Sequence, residues 1–389
     1  MTTEPEARTL AFCQELVRIE SPSGGERAVA DVVEREMRAV GYDEVHRDEL
    51  GSVIGVVRGA GAPASGTAPA DLLFDAHLDV VPATEPETWR FPPFSGKRAE
   101  GRIWGRGATD IKGSLAALLM ALGTLPRETL PGTVLVSASV GEERVEGLAL
   151  SHVLARYPAH AVVICEPTGL ALGLGHRGRA SLVVEAAGRA AHTSRAEHGI
   201  NAVYRLAEAI ARIRRMPPRT DALLGTGHIE LVEISSQPFP GSAMVPYRAT
   251  ARFDRRLVRG ETRESVLGEM HEALAGLEGL TVLLHEGTLD CYTGRSYTME
   301  AFHPGWAVEP ASVFARRARE ALEQAGLAAA PFYAPYSTNG TAAGRLGLPA
   351  LIYGAGDIRA AHAVDESVAE EELSAAFRGY QALARGLTA

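Results

Sequence analysis

The chain has 389 residues, 46% of them apolar, which indicates a globular protein long enough to form two hydrophobic cores. Its 48 acidic residues outnumber its 39 basic residues, and the net charge of −9 disfavours a nucleic-acid partner. No apolar run is long enough to cross a bilayer, and the N-terminus lacks the features of a secretory signal, so we expect a cytoplasmic protein with no membrane partner. The three cysteines are far apart in sequence, which disfavours a disulfide framework.

The first part of the chain alternates between helical and strand-like patterns. Apolar residues recur at helical spacing over residues 4–19 and between Ser23 and Gly41, and a further helix is predicted over residues 113–125. Segment 59–69 is rich in Gly, Ala and Pro and is predicted to be a surface loop. Strands are predicted at residues 53–57, 71–74, 133–140 and 161–165. This alternation predicts an α/β fold with a largely parallel central sheet.

The pattern changes near Gly178. The order strand, helix, strand, strand, helix, strand is predicted, which is that of a ferredoxin-like βαββαβ unit. These elements span residues 180–187, 201–215, 228–234, 247–257, 262–277 and 280–285. An α/β pattern then resumes with a helix at 310–326, a strand at 350–353 and a closing helix at 367–386. The sequence therefore predicts one domain formed by residues 1–178 and 288–389, with residues 179–287 inserted into it.

Chemically active side chains follow the predicted strands of the first domain. His77 and Asp79 follow one strand, the pair Glu142 and Glu143 follows another, and Glu166 follows a third. Open α/β sheets collect their active sites at the carboxyl ends of the strands. With Asp110 and His362, these residues supply the imidazoles and carboxylates typical of a two-metal hydrolase.

Each of these residues also has a simpler interpretation. Asp110 precedes a predicted helix and could be an N-cap, but its two oxygens can also bridge two cations about 3.5–4 Å apart. Adjacent glutamates are common on solvated surfaces, but one of the pair can bind metal while Glu142 accepts a proton from water. Asp79 can accept a hydrogen bond from the ring nitrogen of His77 that does not bind metal.

The ordered set His77-x-Asp79, Asp110, Glu142-Glu143, Glu166 and His362, with the inserted unit between the last two, resembles the M20 metallopeptidase and amidohydrolase family. That family includes acetylornithine deacetylase, succinyl-diaminopimelate desuccinylase, aminoacylase, dipeptidases and carboxypeptidases. The resemblance implies a zinc-exopeptidase-like catalytic domain and an inserted lid that dimerises.

The resemblance also implies the cofactor and its ligands. Two Zn²⁺ ions are expected, with Co²⁺ able to substitute. His77 and Glu166 would hold one ion, Glu143 and His362 the other, and Asp110 would bridge both. Glu142 would be the general base, and the Asp110–Ile111 peptide bond would be cis. Asp79 is counted among the catalytic residues because it is expected to orient the ring of His77.

Further positions follow from the same resemblance. His192, within Gly188-Arg-Ala-Ala-His192, would reach into the active site of a partner subunit and stabilise the oxyanion, which implies a homodimer. Arg177 and Arg256 would bind a substrate carboxylate through their planar guanidinium groups, and Asn339 and Gly340 would contact the substrate. A loop histidine and surface arginines are the simpler alternatives.

Two segments depart from the desuccinylase pattern. Ala243-Met-Val-Pro246 lacks an expected asparagine, and Tyr336-Ser-Thr-Asn-Gly340 replaces a Gly-Thr-Ser-Asp type of loop. The sequence therefore predicts a di-zinc hydrolase that cleaves the amide bond of an N-acyl amino acid or a short peptide. Alternatives are a dipeptidase or carboxypeptidase, a pathway-specific amidohydrolase in biosynthesis, and a non-catalytic metal-stabilised binding protein. The last predicts a missing ligand or base, and none is missing.

Overall fold

A computed structural model describes residues 4–62 and 69–388 of the chain. Most of the predicted loop at 59–69 lies outside the described residues. The described part contains two large β-sheets with helices packed against them, and the α/β fold class predicted from the sequence is confirmed.

The larger sheet has a parallel centre and antiparallel margins. Its nine strands, in spatial order, are Glu44–Arg47, Val53–Arg58, Thr133–Ser139, Leu72–His77, Val162–Ile164, Ala350–Ile352, Leu172–His176 and Trp306–Ala307, with Pro331–Ala334 also paired to Leu172–His176. The four strands from Thr133–Ser139 to Ala350–Ile352 run parallel to one another. These central strands are buried on both faces, which explains their nearly continuous apolar sequences.

The pairing register brings the strand ends together. His77, the last residue of its strand, pairs with Ser139, the last residue of the neighbouring strand. On the other side, Asp75 pairs with Ile164, the last residue of that strand. The residues that follow these strands therefore emerge at one edge of the sheet.

The helix Gly113–Gly123 is buried almost completely. Its sequence, Gly-Ser-Leu-Ala-Ala-Leu-Leu-Met-Ala-Leu-Gly, is apolar on nearly every side, as expected for a helix enclosed by other elements. It packs between the helices Glu4–Val17 and Glu370–Leu387. Because it begins directly after the turn Ala108–Lys112, it fixes the position of Asp110 relative to the sheet.

The remaining α-helices of the described residues surround the two large β-sheets. They are Arg27–Ala39, Leu148–Arg156, Ala202–Ile213, Arg263–Ala273, Val313–Gln324 and Thr341–Arg345. Short two- and three-stranded sheets add Lys97–Ala99, Arg102–Trp104, Ser367–Ala369, Thr220–Asp221, Gly225–Thr226, Glu286–Asp290 and Ser296–Glu300. None of the helices in the described part of the chain combines the length and apolarity that a membrane crossing requires.

The smaller sheet, here called the lid sheet, has the strand order His228–Gln237, Arg248–Leu257, Gly178–Ala187 and Leu280–Leu284, with Phe302–His303 added to Gly178–Ala187. The four long strands are all antiparallel, which is the arrangement of the predicted βαββαβ unit. Where one domain ends and the other begins, at residues 178/179 and 287/288, stays a prediction.

The strand Arg248–Leu257 explains how the lid sheet uses its two faces. Its residues alternate, with Ala249, Ala251 and Phe253 buried against the helices Ala202–Ile213 and Arg263–Ala273. The intervening residues include several arginines, which lie on the opposite face and are partly exposed. A period of two along a strand therefore places a charged surface opposite the packed core.

Candidate metal centre

Five predicted ligands converge on two neighbouring clusters. The inner cluster consists of His77, Asp110 and Glu166, and the outer cluster consists of Asp110, Glu143 and His362. Within each cluster, one donor atom from each residue lies within 4.8 Å of the others. Asp110 belongs to both, as the sequence predicted for a bridging ligand.

The two oxygens of Asp110 face different histidines. Its Oδ1 lies 3.0 Å from Nε2 of His77, and its Oδ2 lies 3.3 Å from Nε2 of His362. Glu166 Oε1 is 3.7 Å from the same nitrogen of His77, and Glu143 Oε1 is 3.0 Å from that of His362. The Asp110–Ile111 peptide bond is cis, which confirms that prediction.

The clusters differ in exposure. The side chain of His77 is 1% exposed, and those of Asp110 and Glu166 are nearly as buried. The side chain of His362 is 52% exposed and stands on a loop where its own φ is +61°. The inner cluster therefore lies at the bottom of the site, and the outer cluster lies at its mouth.

The charged groups of the site favour the binding of cations. Burial, together with the neighbouring carboxylates, raises the pKa of Glu142 and of Glu166 well above the ordinary value, and burial also raises the pKa of Glu143. Burial opposes ionisation of Asp110 as well, yet hydrogen bonds with His362 and His77 hold its pKa below its usual range. Hydrogen bonds with Asp110 and Glu143 raise the pKa of His362 to about 10. The imidazole nitrogens and carboxylate oxygens present here are the donor set that zinc-type divalent cations prefer.

Asp79 organises the neighbouring loop in a way the sequence did not indicate. The ring nitrogen Nδ1 of His77 lies 2.9 Å from the main-chain oxygen of Asp79 and 3.6 Å from its carboxylate, so the predicted carboxylate–imidazole hydrogen bond is replaced by one to the backbone. The carboxylate instead accepts hydrogen bonds from the backbone N–H groups of Glu142 and Glu143, at 3.0 Å each. Ser23 donates a third, at 2.6 Å.

The clusters open into a cavity of about 590 Å³ between the carboxyl edge of the larger sheet and the lid sheet. The lining includes the carboxylates and His362, basic side chains from the lid sheet, and hydroxyl side chains from the loop that follows Pro331–Ala334. These lining residues are Asp110, Glu142, Glu143, Glu146, Glu166, His362, Arg179, Arg256, Tyr336 and Ser337.

A sequence model of "Peptidase family M20/M25/M40" matches residues 73–386, which include the lid sheet, most strands of the larger sheet and every cluster residue. The chain belongs to this family. Members of this M20 metallopeptidase family depend on metal ions, and the chain is a hydrolase that acts on amide bonds.

Similar proteins agree with the family assignment. The protein YgeY of Escherichia coli (strain K12) is 29% identical over 388 residues, covering 97% of this chain and 94% of YgeY. A succinyl-diaminopimelate desuccinylase of Paracoccus denitrificans is 31% identical over 287 residues, covering 68% of this chain and 71% of the desuccinylase.

Solved structures share the fold of this M20 protein. Aminopeptidase PepT of Bacillus cereus has a TM-score of 0.74 at 20% identity and covers 99% of both chains. An M20 family metallo-carboxypeptidase of Sulfolobus solfataricus has the same TM-score at 19% identity, covering 98% of this chain and 99% of its own. A dinuclear metal-binding M20 peptidase of Bacillus subtilis has a TM-score of 0.68 at 15% identity, covering 98% of this chain and 97% of its own.

The arginines of this M20 protein are placed differently from the prediction. Arg256 lines the cavity, with Nε 3.0 Å from Oδ1 of Asp254. Arg177 is not among the lining residues, because its Nε donates to the carbonyl oxygen of Leu224 at 2.8 Å and the side chain is held there. Arg179 lines the cavity instead, and its Nε lies 2.6 Å from the other oxygen of Asp254. Of the predicted pair, Arg256 lines the cavity and Arg177 does not, and the substrate role of both stays a prediction.

Asn339 lies beneath the site rather than in the cavity. It is buried, its Oδ1 accepts from the backbone of Gly147 at 2.7 Å, and its Nδ2 donates to Asp75 at 2.9 Å and Ser139 at 3.1 Å. Its amide therefore ties together segments around the sheet edge, and in this structure it does not line the cavity.

Gly340 is needed for packing. A Cβ atom at this position would lie 2.9 Å from Nε1 of Trp306, which is closer than real side-chain contacts allow. The cavity is lined instead by Tyr336 and Ser337 from the same loop. Nothing in the sequence of this loop separates these two residues from Asn339 and Gly340.

His192 lies on an exposed loop outside the cavity lining of its own chain. Its Nδ1 is 2.8 Å from the Ser194 hydroxyl, and its backbone pairs with Met244. Its predicted role in a partner's active site stays a prediction.

Proposed function

We propose that this M20 protein uses two Zn²⁺ ions to hydrolyse the amide bond of an N-acyl amino acid. The observation that carries the proposal is the convergence of five ligand side chains into two clusters that share Asp110, with Glu142 beside them in the same cavity. A shared carboxylate is the usual bridge of a co-catalytic pair.

His77 and Glu166 would hold one cation, Glu143 and His362 the other, and Asp110 both. Each cluster supplies three protein donors, as in catalytic zinc sites that leave a position for water or substrate. When bound, the cations supply Lewis acidity to the substrate carbonyl and lower the pKa of water. Co²⁺ is expected to substitute for Zn²⁺.

Glu142 is the proposed general base. Its carboxylate lines the cavity and has no hydrogen-bond partner within the described residues, and burial raises its pKa well above the ordinary value. A carboxylate in this state can accept the proton of the attacking water and pass it to the leaving amine nitrogen. Asp79 positions it by fixing the backbone of Glu142 and Glu143.

The basic wall of the cavity supports a substrate with a carboxylate. Asp254 accepts a hydrogen bond from Arg179 and forms an ion pair with Arg256, and it thereby holds their guanidinium groups side by side in the cavity wall. Guanidinium groups bind carboxylates through paired hydrogen bonds, so these two arginines are proposed to bind the carboxylate of the amino-acid half. The C-terminal carboxylate of a dipeptide has the same chemistry, which keeps an exopeptidase as the second candidate.

We also propose a homodimer formed through the lid sheet. In the described part of the chain, the strand His228–Gln237 has no neighbouring strand on its outer side, and Val232 and Ile234 on it are 55% and 57% exposed. An unpaired apolar edge is a usual site of strand pairing between chains. His192 would then reach the partner's cavity. The free cysteines Cys13, Cys165 and Cys291 support a cytoplasmic location.

The test of the function is a substrate panel with controlled metal content. Removing metal with a chelator is expected to abolish hydrolysis, and adding Zn²⁺ or Co²⁺ is expected to restore it. N-acetyl and N-succinyl amino acids are expected to be cleaved faster than dipeptides, and the reverse order would favour the exopeptidase. Full activity in metal-free protein would refute the proposed chemistry.

A matched pair of variants tests the base. E142Q is expected to bind both metals but to lower kcat by roughly 10²–10⁴-fold, because the proton acceptor is lost. E146Q is the control, since Glu146 is a carboxylate that also lines the cavity but is held by Ser337. Equal losses in the two variants would assign Glu142 a general electrostatic role only.

Mixing two inactive variants tests the role of His192. E142Q and H192A homodimers are each expected to be nearly inactive, and exchange of subunits is expected to restore activity. The heterodimer contains one site with an intact Glu142 and an intact His192 from the other subunit. If mixing restores nothing although the subunits exchange, His192 does not act across the interface.

A further inference from the structure

Glu366 is a buried carboxylate that belongs to neither cluster but contacts the turn that carries their shared ligand, Asp110. Its Oε1 accepts hydrogen bonds from two successive backbone N–H groups, those of Thr109 at 2.9 Å and Asp110 at 3.0 Å. It is 1% exposed. Glu366 therefore fixes the backbone of the residue that the two clusters share.

Arg106 completes this arrangement. Its Nη1 lies 2.5 Å from the other oxygen of Glu366, and its Nη2 donates to the main-chain oxygen of His362 at 3.2 Å. Nη1 also lies 3.3 Å from the main-chain oxygen of Ala363, and the guanidinium stacks over the ring of Trp89 at 5.2 Å from its centroid. One buried ion pair thus connects the turn that carries Asp110 with the loop that carries His362.

The loop of His362 depends on such support. The side chain of His362 is half exposed, and its φ of +61° is a conformation that residues with a side chain rarely adopt. His77, by contrast, ends a regular strand that is paired on both sides. The position of the outer histidine is therefore set by contacts between distant segments rather than by a sheet.

We propose that the Arg106–Glu366 ion pair is a positioning device for the metal centre. It holds Asp110 and His362 at the separation that the outer cluster needs, and it thereby sets the affinity of that cluster for its cation. The proposal rests on the two-metal function above. Neither residue touches substrate, so both act through the ligands.

A contribution to folding stability does not by itself explain the presence of a buried ion pair. Burying two charges is costly, and replacing a buried ion pair with apolar residues is often neutral or stabilising. Groups that orient metal ligands, by contrast, typically change metal affinity or activity by about 10–100-fold when they are altered.

The lid sheet offers a matched control. Arg255 and Glu261 also form a buried ion pair at 2.5 Å, with side chains 8% and 2% exposed. Glu261 likewise accepts a backbone hydrogen bond, from Val258 at 2.7 Å. This pair is not part of either cluster or of the cavity lining.

The experiment titrates metal-free protein with Co²⁺ in competition with a chelator and follows the visible absorption of the bound ion. We expect wild type to bind two ions. E366Q is expected to bind one ion like wild type and the other about 10–100-fold more weakly, with a changed spectrum for the weak site. E261Q is expected to retain both affinities and both spectra while lowering the Tm.

R106K provides a second measurement should E366Q fold poorly. A lysine keeps the positive charge but cannot contact Glu366 and the carbonyl oxygens of His362 and Ala363 together, so it is also expected to weaken one site selectively. If the folded variants keep both metal affinities, or if both affinities fall equally, the positioning role is overturned. A wild-type protein that binds fewer than two ions would overturn the proposed function itself.

Discussion

The inner and outer clusters share one ligand but are built in different ways. In the inner cluster, His77 and Glu166 follow parallel strands of the larger sheet, and the side chains are almost fully buried. In the outer cluster, Glu143 and His362 stand on loops, and the histidine is half exposed. We infer that the inner cluster is the tighter metal site, because its donors are fixed by the sheet and shielded from water. The following predictions test this difference, beginning with the largest expected effect.

Replacing the shared ligand, Asp110, should abolish metal binding at both clusters and so remove the difference in affinity between them. D110A is expected to lose both cations and all measurable hydrolysis, because each cluster retains only two of its three donors. Metal content per chain, measured by mass spectrometry after dialysis, checks this expectation. If one tightly bound ion remains, Asp110 is not shared in the way the geometry indicates.

Removing one histidine at a time should separate the clusters. H362A is expected to keep one ion per chain, because the inner cluster is intact, whereas H77A is expected to bind its remaining ion more weakly than H362A does. Isothermal titration of the two metal-free variants with Zn²⁺ measures both affinities. The opposite order would show that burial does not decide which cluster is tighter.

A smaller effect is expected when the loop of Glu142 and Glu143 is loosened. In D79N, one oxygen that accepts a backbone N–H is replaced by an amide group that cannot, so kcat/KM is expected to fall about 10–100-fold. The inner cluster should keep its affinity better than the outer one, since Glu143 belongs only to the latter. Kinetics and Co²⁺ titration on the same sample measure both effects, and equal weakening of the clusters would contradict this account.

The smallest effect concerns a histidine outside both clusters. Burial lowers the pKa of His176 from 6.5 to about 4, so the folded protein holds this ring neutral. The unfolded chain binds the proton more readily, and the stability that the neutral ring contributes is complete above pH 6.5 and is lost as the pH falls toward 4. H176F is expected to reduce the loss of Tm between pH 7 and pH 5 without changing metal affinity. Thermal unfolding of the metal-free proteins tests this, and identical pH profiles would contradict it.

The sequence predicted the central features of the fold because their patterns are local. Strands buried on both faces gave apolar runs at 53–57, 133–140 and 161–165, and the observed strands lie at nearly these positions. The strands Glu44–Arg47 and Leu172–His176 were missed. The first is only half buried, and the second contains two glycines, so neither has a clear strand pattern.

The candidate site was predicted less evenly. The five ligands were found because each follows a predicted strand or matches a motif, and the structure brings them together. The predicted arginines included Arg177, but only the tertiary fold shows that its guanidinium binds the carbonyl of Leu224 and that Arg179 lines the cavity. The ion pair of Arg106 and Glu366 was not predicted, because the two residues are 260 positions apart and neither lies in a recognised motif.

By itself, the sequence determined which side chains can bind metal and that several of them lie at or after strand ends, because side-chain chemistry and strand periodicity are properties of short segments. Only the tertiary structure decided how these side chains are arranged and which groups they contact. It showed which oxygen of Asp110 faces which histidine, that Asp79 binds the backbone of Glu142 and Glu143, and that a buried ion pair joins the loops of Asp110 and His362. These features depend on the distances between segments far apart in the chain, which are fixed only when the sheets and helices pack together.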